Sequence, residues 1–398
     1  MKAIIHFCIL GSNRRRGAIL NKTNNSHKNI IGSILLIYIG LIMLFNIIIS
    51  DKDFSDMENR RLEQLPKFSF ENIFKGQFIS NFEKYISDQF PFRDFFIGVK
   101  SYCERISGKK ENNGVFLGED GYLMEKFNKP HDKDFKNRID VINSFAENTA
   151  NINKYFILVP NSVKILEDKL PYSAPVDDEY FYMNKVKNGL DKNIKFVDVY
   201  DIFWDKKDEY IYYKTDHHWT TKGAFYAYEK LAKSMGFYPH EEDYFNIENV
   251  ADNFYGSLYS KGGFRNIDSD DIKLYIPKKS ENYTVKYYEE NNTSDSLYNM
   301  DNLNKKDKYT VFLNGNHPLL KINTNIHNGK KLLIIKDSYA NSLVPFLTGH
   351  FNEIYMIDLR YFEEDLSKFI KNNDIDDILI LYNVKSFFED DSIKKISW

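Results

Sequence analysis

The chain has 398 residues, of which 42% are hydrophobic and 16% aromatic. This composition is sufficient for a large core and excludes an intrinsically disordered protein. The whole chain has a net charge of −3, and residues 1–50 carry six basic residues and no acid, so the remainder has a net charge of −9. An acidic body of this kind argues against a nucleic-acid partner.

The first fifty residues predict a membrane segment. Residues 1–28 form a basic cytoplasmic tail, and 29–50 form a transmembrane helix, because Ile30–Ile49 contains no charged residue and about twenty helical residues span a bilayer core. The basic flank places the N-terminus in the cytoplasm. A cleaved signal peptide is the alternative, but "NIIISDKDF" offers no small-residue cleavage site. We therefore predict a single-pass protein of the cell membrane with an extracytoplasmic body.

Residues 51–112 are predicted to form a helical stem. Apolar side chains recur there at helical spacing, and Pro91 interrupts the pattern. The two cysteines, Cys8 and Cys103, lie on opposite sides of the predicted membrane helix. The outer body is therefore expected to be stable without a disulfide.

The main domain is predicted to cover residues 113–398 and to have an α/β fold. Asp120-Gly121 lies between two short apolar runs, which predicts a hairpin. Helical patterns, including Thr221–Met235 and 363–373, alternate with apolar runs. The predicted strands of this alternating region are 155–160, 195–199, 331–336, 353–358 and 376–383. Such alternation predicts a mainly parallel sheet with helices on both faces.

Residues 240–330 interrupt this alternation. The segments "DIKLYIP", "NYTVKYY" and "KYTVFLN" predict antiparallel strands, and a polar loop at 289–307 joins the last two. We interpret the region as a β insertion in the α/β domain.

The stretch "KLLIIKDSYANSLVPF" places Ser338 directly after a predicted strand. Reactive groups of open α/β sheets collect at the carboxyl ends of strands. Backbone N–H groups of a helix expected after the serine would provide an oxyanion site. The alternative is that Ser338 only caps that helix.

The stretch "TDHHWTT" supplies an acid and a base. A nucleophilic serine needs a base, and the base needs an orienting acid. Asp216 is expected to orient His218, and His218 to accept the proton of Ser338. His217 points to the other side of an extended segment and is interpreted as an exposed or capping residue. Trp219 either lines the site or anchors the loop in the core.

"TDHHWTTKGA" followed by "IIKDSYANS" resembles the DHHW-motif family, which is similar to the AlgX/AlgJ-type proteins of alginate O-acetylation. The segments "ENRRLEQLP", "GVFLGEDGYL" and "FYGSLYSKGG" extend the resemblance over most of residues 55–390. The resemblance implies an SGNH-hydrolase-like three-layer sandwich. It also implies a triad of Ser338 as nucleophile, His218 as base and Asp216 as orienting acid, with the acid and base ahead of the serine in chain order.

The resemblance also implies further site residues. Lys336 stands where the SGNH pattern has glycine, which leaves the geometry of the turn open. SGNH folds use an asparagine after a later strand as an oxyanion donor; Asn383 is positioned like that residue, and Asn316 is a second candidate. A turn asparagine is the alternative for Asn383. Arg360 is a candidate for binding a sugar or an acidic group, or for a surface salt bridge. Tyr339 is a further substrate-binding candidate.

These residues predict a membrane-anchored extracytoplasmic O-acyltransferase, with acetyl as the expected group, that modifies a cell-surface or secreted polysaccharide. The resemblance implies that a multi-spanning membrane acyltransferase supplies the acetyl group. Two alternatives are a carbohydrate esterase with the same triad and a non-catalytic polysaccharide-binding or scaffold protein. No cofactor is expected. A metallohydrolase with Asp216, His217 and His218 as ligands is disfavoured, because no further ligand motif accompanies them.

Overall fold

The computed structural model describes residues 30–55, 60–69, 75–279 and 281–397, so the predicted basic tail lies outside the described residues. The chain divides into two compact units, one of residues 1–55 and 60–97 and the other of residues 56–59 and 98–398. Each unit is described by itself.

The first unit contains the apolar helix α1 (Ile30–Ile48), which has a mean hydropathy of 2.5. Its length and composition fit both a membrane anchor and a signal sequence. Two short strands, β1 (Phe54–Ser55) and β2 (Arg60–Arg61), pair antiparallel. Helix α2 (Gln77–Asp88) confirms the helix predicted before Pro91. A further helix, α3 (Arg93–Ile106), begins in this unit and ends in the second.

The second unit begins with a small antiparallel sheet. Its three strands are β3 (Glu111–Asn112), β4 (Val115–Leu117) and β5 (Leu123–Glu125). The chain reverses between the last two strands through a 3₁₀ turn in which Asp120 and Gly121 both have positive φ. The predicted hairpin is therefore confirmed, because β4 and β5 pair antiparallel across this turn.

Nine further α-helices lie in the second unit, counted over the residues that the structure describes. They are α4 (Asp132–Asn148), α5 (Ser162–Ile165), α6 (Glu179–Gly189), α7 (Tyr200–Asp205), α8 (Thr221–Met235), α9 (Ser257–Gly262), α10 (Ala340–Leu343), α11 (Leu366–Asn373) and α12 (Val384–Glu389). Helix α8 has the predicted bounds. The side chain of Thr220 accepts a hydrogen bond from the N–H of Gly223 at its start, and Gly236 ends it with a positive φ.

The main sheet has eight strands within the described part of the chain. They are β6 (Asn153–Val159), β7 (Ile194–Phe196), β10 (Tyr283–Tyr287), β11 (Asn292–Ser294), β12 (Leu319–Thr324), β13 (Lys331–Lys336), β14 (Glu353–Ile357) and β15 (Asp377–Asn383). Their spatial order is β11-β10-β12-β14-β13-β15-β6-β7. The last five of this order are parallel, and the first three add antiparallel at one edge. The sheet is thus mixed rather than purely parallel.

The interior of the sheet explains the apolar runs of the sequence. Every residue of β15 is buried, as is every residue of β6 after the first. Strands covered on both faces need continuous apolar sequence rather than alternation. The fold is therefore α/β with a mixed sheet.

The region 240–330 differs from the prediction in two ways. Strands β8 (Phe245–Phe254) and β9 (Asp270–Pro277) form a separate antiparallel pair, whereas β10, β11 and β12 belong to the main sheet. The strand predicted at 308–314 is wrong: Lys308–Val311 is a 3₁₀ turn, and Leu313 and Asn314 have positive φ. The apolar side chains of this segment pack into a small core cluster. The side chains of a short apolar run can be buried when the backbone forms turns, just as they can when it forms a strand.

Candidate active site

Two loops of the second unit meet at one edge of the sheet. Ser338 lies directly after β13, and the Asp216–His218 loop lies between α7 and α8. The Nε2 atom of His218 is 2.7 Å from the hydroxyl oxygen of Ser338, and its Nδ1 atom is 2.5 Å from Oδ1 of Asp216. His218 and Ser338, which are 120 positions apart in sequence, thus belong to one hydrogen-bonded Ser–His–Asp series. This order of contacts allows an imidazole to accept a hydroxyl proton while a carboxylate fixes its orientation.

The carboxylate of Asp216 is buried and held at both oxygens. Oδ1 also accepts a hydrogen bond from the backbone N–H of His218 at 3.0 Å, and Oδ2 accepts one from the N–H of Ser257 at 2.7 Å. A Cβ atom at Gly256 would lie 2.3 Å from both Cβ and Oδ2 of Asp216. Only glycine fits at that position with the carboxylate where it is.

Asp270, at the start of β9, fixes the loop from its other end. Its carboxylate accepts hydrogen bonds from the hydroxyl of Tyr210, the N–H of Lys214 at 2.7 Å, and both the N–H and the hydroxyl of Thr215 at 2.7 and 2.5 Å. Sequence reasoning missed this residue. Its position ahead of an apolar strand did not distinguish it, because aspartate is common at strand ends.

Tyr309 packs its ring flat against His218, with the ring centroids 3.7 Å apart and the planes 10° from parallel. Its hydroxyl is 2.9 Å from the hydroxyl of Ser342 and donates to the carbonyl of Ser338 at 3.3 Å. The ring therefore fixes the plane of the imidazole. This residue lies in the segment that was predicted as a strand, which is why the sequence did not associate it with the site.

Trp219 and Tyr339 hold the two loops together from within the core. The indole N–H of Trp219 donates to the hydroxyl of Ser342 at 2.9 Å and to the carbonyl of Tyr339 at 3.1 Å. The hydroxyl of Tyr339 donates to the carbonyl of His217. Both aromatic side chains are fully buried. Trp219 therefore anchors its loop in the core, and Tyr339 is likewise buried.

The serine turn is organised by the buried Asp337. Its Oδ1 atom accepts from the N–H of Tyr339 at 2.9 Å, and its Oδ2 atom accepts from the backbone and side-chain N–H groups of Asn383 at 2.8 and 2.9 Å. The Asn383 amide also lies 2.9 Å from the hydroxyl of Ser386, and its oxygen caps α12. Asn383 therefore occupies the alternative role of a capping and turn residue, because its amide hydrogens already have acceptors.

The hydroxyl of Ser338 does not cap the following helix, which is only four residues long. It points to His218 instead. The N–H of Tyr339 already donates to Asp337, so it is not one of the free N–H groups that were expected to bind an oxyanion at the helix start. The backbone N–H of Ser338 has no acceptor among the residues that the structure describes.

Lys336 occupies the position at which glycine was expected, and it is buried. Its ammonium group donates to the amide oxygens of Asn316 at 2.6 Å and Asn341 at 3.0 Å, and lies 3.7 Å from Asp358. Burial lowers the pKa of Lys336 to about 8. Arg360 makes two hydrogen bonds of 2.9 and 2.6 Å with the same Asp358 carboxylate. Asn316 is therefore a partner of Lys336, and Arg360 forms the salt bridge foreseen as its alternative role.

The pKa values of Asp216 and His218 are both lowered, for different reasons. Burial, followed by repulsion from His217, lowers the pKa of His218 to about 4, and the attraction of Asp216 only partly offsets this. Burial opposes ionisation of Asp216, but the neighbouring imidazoles and the Ser257 N–H outweigh it and hold its pKa well below its usual range. At neutral pH His218 is therefore uncharged and able to accept a proton.

A cleft of about 440 Å³, here called the lateral cleft, opens beside these residues. His217, Ser257, Asn161, Arg360 and Asn383 line it. The imidazole of His217 is partly exposed, and its Nδ1 atom is 2.6 Å from the hydroxyl of Ser257. His217 therefore faces the cleft, while its neighbour in sequence faces the serine.

Donor atoms of Asp216, His217 and His218 lie within 4.8 Å of one another, which is close enough for a metal ion. Both ring nitrogens of His218 are, however, already hydrogen-bonded to Asp216 and Ser338. Coordination by His218 would have to break one of these contacts. The geometry therefore favours proton transfer over metal binding.

Fold and site together define an α/β protein that carries a hydrogen-bonded Ser–His–Asp series at the carboxyl end of a sheet strand. The sequence model of the DHHW family, described as "DHHW protein", matches residues 116–357, which is more than half of the chain. The chain belongs to this family, as its motifs predicted.

Three solved structures are similar to the chain. A DHHW family protein from Eubacterium siraeum DSM 15702 is 28% identical, with a TM-score of 0.64, over 72% of this chain and 95% of its own. PatB1 from Bacillus cereus, solved with a sulfonyl adduct, is 20% identical with a TM-score of 0.61, over 71% and 98% of the two chains. The O-acetyltransferase domain of Pseudomonas putida AlgJ is 15% identical with a TM-score of 0.44, over 71% and 98%. No curated protein sequence matches the chain.

Proposed function

We propose that this protein is a membrane-anchored extracytoplasmic O-acyltransferase that acetylates a cell-surface or secreted polysaccharide. The observation that carries the proposal is the 2.7 Å contact between Nε2 of His218 and the hydroxyl of Ser338, made while Nδ1 of His218 is bonded to Asp216. We assign the nucleophile to Ser338, the general base to His218 and the orienting acid to Asp216. An SGNH-like three-layer sandwich is the fold that this assignment implies.

In the first half-reaction the hydroxyl of Ser338 attacks the carbonyl carbon of the acyl donor, and its proton moves to Nε2 of His218. The tetrahedral intermediate then collapses. The leaving group takes that proton, and the acyl group remains on Ser338 as an ester. The backbone N–H of Ser338, which has no acceptor among the described residues, is the donor that we assign to the oxyanion.

In the second half-reaction a sugar hydroxyl gives its proton to His218 and attacks the ester carbonyl. The bond to Ser338 breaks, and the serine oxygen recovers the proton from His218. The acyl group has then moved from the serine to the sugar, and the enzyme is restored. The lowered pKa of His218 keeps the imidazole uncharged and ready to act as base at neutral pH in both halves.

The acyl group and the class of acceptor rest on the resemblance of "TDHHWTTKGA" and "IIKDSYANS" to proteins of alginate O-acetylation. The apolar helix α1 supports anchoring in a membrane. An anchor would hold the site near a multi-spanning membrane acyltransferase, which we propose as the acetyl donor. No cofactor enters this mechanism.

The test uses the full-length protein in detergent micelles. A serine-directed phosphonate is expected to label Ser338, and His218→Ala is expected to abolish the labelling. Ser107→Ala and His327→Ala, which change exposed residues, serve as matched controls and should leave labelling intact. Incubation with 4-nitrophenyl acetate and a panel of glycans should then give acetylated glycan. Labelling at another residue, or full transfer activity in Ser338→Ala, would overturn the triad.

A carbohydrate esterase is the second candidate, because Ser338 is partly exposed and water can reach its ester. Hydrolysis would use the same first half-reaction and replace the sugar hydroxyl with water. Release of acetate without acetylation of any glycan in the panel would favour this candidate.

A further inference from the structure

The lateral cleft adjoins the proposed triad through two of its lining residues. The ring centroids of His217 and His218 are 3.9 Å apart. The side-chain amide of Asn383 donates a hydrogen bond to Asp337, the residue before Ser338. Its volume of about 440 Å³ falls within the range of pockets that hold small ligands. The lateral cleft is therefore a candidate site for the acceptor next to the proposed triad.

Each charged side chain that lines the cleft lies near a side chain of opposite charge. Among the described lining residues, six carry a charge: Glu125, Lys261, Arg360, Lys385, Glu389 and Asp390. Lys261 is 2.5 Å from Glu125, and Lys385 is 3.8 Å from the same carboxylate. Lys385 also pairs with Glu389. Arg360 pairs with Asp358, which does not line the cleft, and lies 3.9 Å from the lining residue Asp390. The lining side chains comprise three cations and three anions, so their charges sum to zero.

This pairing determines which ligands the wall can recognise. A carboxylate or an ammonium group on a ligand would meet as much repulsion as attraction, and would have to displace the partner of an existing pair. A hydroxyl group both donates and accepts hydrogen bonds. Each ion pair presents N–H donors beside carboxylate acceptors, so neighbouring hydroxyls of a sugar ring match it with charge-assisted hydrogen bonds.

Asn161 adds an amide to the same wall. Its side chain is buried, yet within the described part of the chain its N–H₂ group contacts only the Tyr339 hydroxyl and the amide oxygen of Asn383, both at 3.4 Å. Contacts of this length are weak. The amide is therefore able to exchange them for a shorter hydrogen bond to a bound hydroxyl or acetamido group.

We infer that the lateral cleft binds an uncharged segment of the acceptor glycan, built from neutral or N-acylated sugar residues, in preference to uronate or amino-sugar segments. This inference rests on the proposed function for its biological meaning. Binding itself can be measured whether or not acetyl transfer occurs.

The experiment compares three tetrasaccharides on the full-length protein in detergent: tetra-N-acetylglucosamine, tetragalacturonate and tetraglucosamine. We expect titration calorimetry to give a Kd for the neutral tetramer at least about ten-fold lower than for either charged one. This Kd should be constant between about 20 and 200 mM NaCl, because no net charge is neutralised on binding. Tighter binding of the uronate, weakening as salt increases, would overturn the inference, as would binding of none of the three.

Two variants test whether the paired charges are responsible. Lys385→Met removes one donor and should raise the Kd for the neutral tetramer about ten-fold. Glu389→Gln leaves a net positive wall and should shift the preference toward the uronate several-fold. Lys187→Met is the matched control, because Lys187 pairs with Asp198 at 3.0 Å outside the cleft. Equal effects in the control, or no change of preference in Glu389→Gln, would overturn the inference.

The two proposals fail differently. Absence of acetylated Ser338 after treatment with 4-nitrophenyl acetate, with the neutral tetramer still bound, would overturn the transferase and retain the cleft assignment. Formation of the acetyl-enzyme with transfer only to the uronate would retain the transferase and overturn the cleft assignment.

Discussion

Replacing Gly256 with alanine tests whether the position of the Asp216 carboxylate controls activity. The backbone of Gly256 has a negative φ, so alanine is allowed there without backbone strain. The new Cβ would lie 2.3 Å from both Cβ and Oδ2 of Asp216. Real Cβ contacts start above 3.0 Å, so one of the two segments must move by about 1 Å. A misplacement of this size in a catalytic group costs about 10²-fold in rate.

The assay measures kcat/KM for 4-nitrophenyl acetate and the rate of phosphonate labelling of Ser338. Both are expected to fall about 10²-fold in Gly256→Ala. Gly98→Ala is the control, since its new Cβ would meet no atom closer than 4.0 Å and alanine favours a helix. Thermal unfolding must show that Gly256→Ala is folded. A folded Gly256→Ala enzyme with wild-type rates would refute the role assigned to the Asp216 carboxylate.

Three further outcomes are expected. The kcat/KM of the wild type should be constant near neutrality and fall below about pH 4, where His218 becomes protonated. His217→Gln removes a charge that repels protonated His218, so the fall in kcat/KM should occur at a higher pH in this variant. A fall at the same pH would contradict the repulsion by His217. Asp270→Asn should lower the free energy of unfolding by about 2 kcal/mol in a denaturation experiment, because an amide N–H₂ replaces an acceptor of buried donors; unchanged stability would contradict the loop-fixing role. Tyr309→Leu should lower kcat about ten-fold by freeing the imidazole, whereas Tyr309→Phe keeps the ring and should stay within about two-fold; equal losses in both would assign the effect to the hydroxyl.

The sequence predicted those elements that carry their own local signals. Helix α8 has a capping threonine and a terminal glycine, and its bounds match the prediction. Strand β13 is a continuous apolar run and also matches. Strand β7 covers Ile194–Phe196 and ends earlier than predicted, although Val197 and Val199 beyond it are also buried.

The place of Ser338 at the carboxyl end of β13 could be predicted because reactive groups of α/β sheets collect there. The Asp216–His218 loop lies between two helices, and only the resemblance of the two motifs related it to the serine. The residues that hold them could not be predicted. Tyr309 and Asp270 reach the site from segments far away in sequence, through stacking and hydrogen bonds that only tertiary packing creates. The predicted oxyanion role of Asn383 was based on its place after a strand, whereas the neighbouring Asp337 engages its amide.

The place of β15 in the sheet has a consequence for how the protein is made. This strand is the last in chain order, yet it lies between β13 and β6 and forms the ladder that joins them. During translation, the segments that contain His218 and Ser338 are synthesised before β15. The nascent polypeptide is therefore expected to gain reactivity only after β15 has been synthesised and has inserted between β13 and β6.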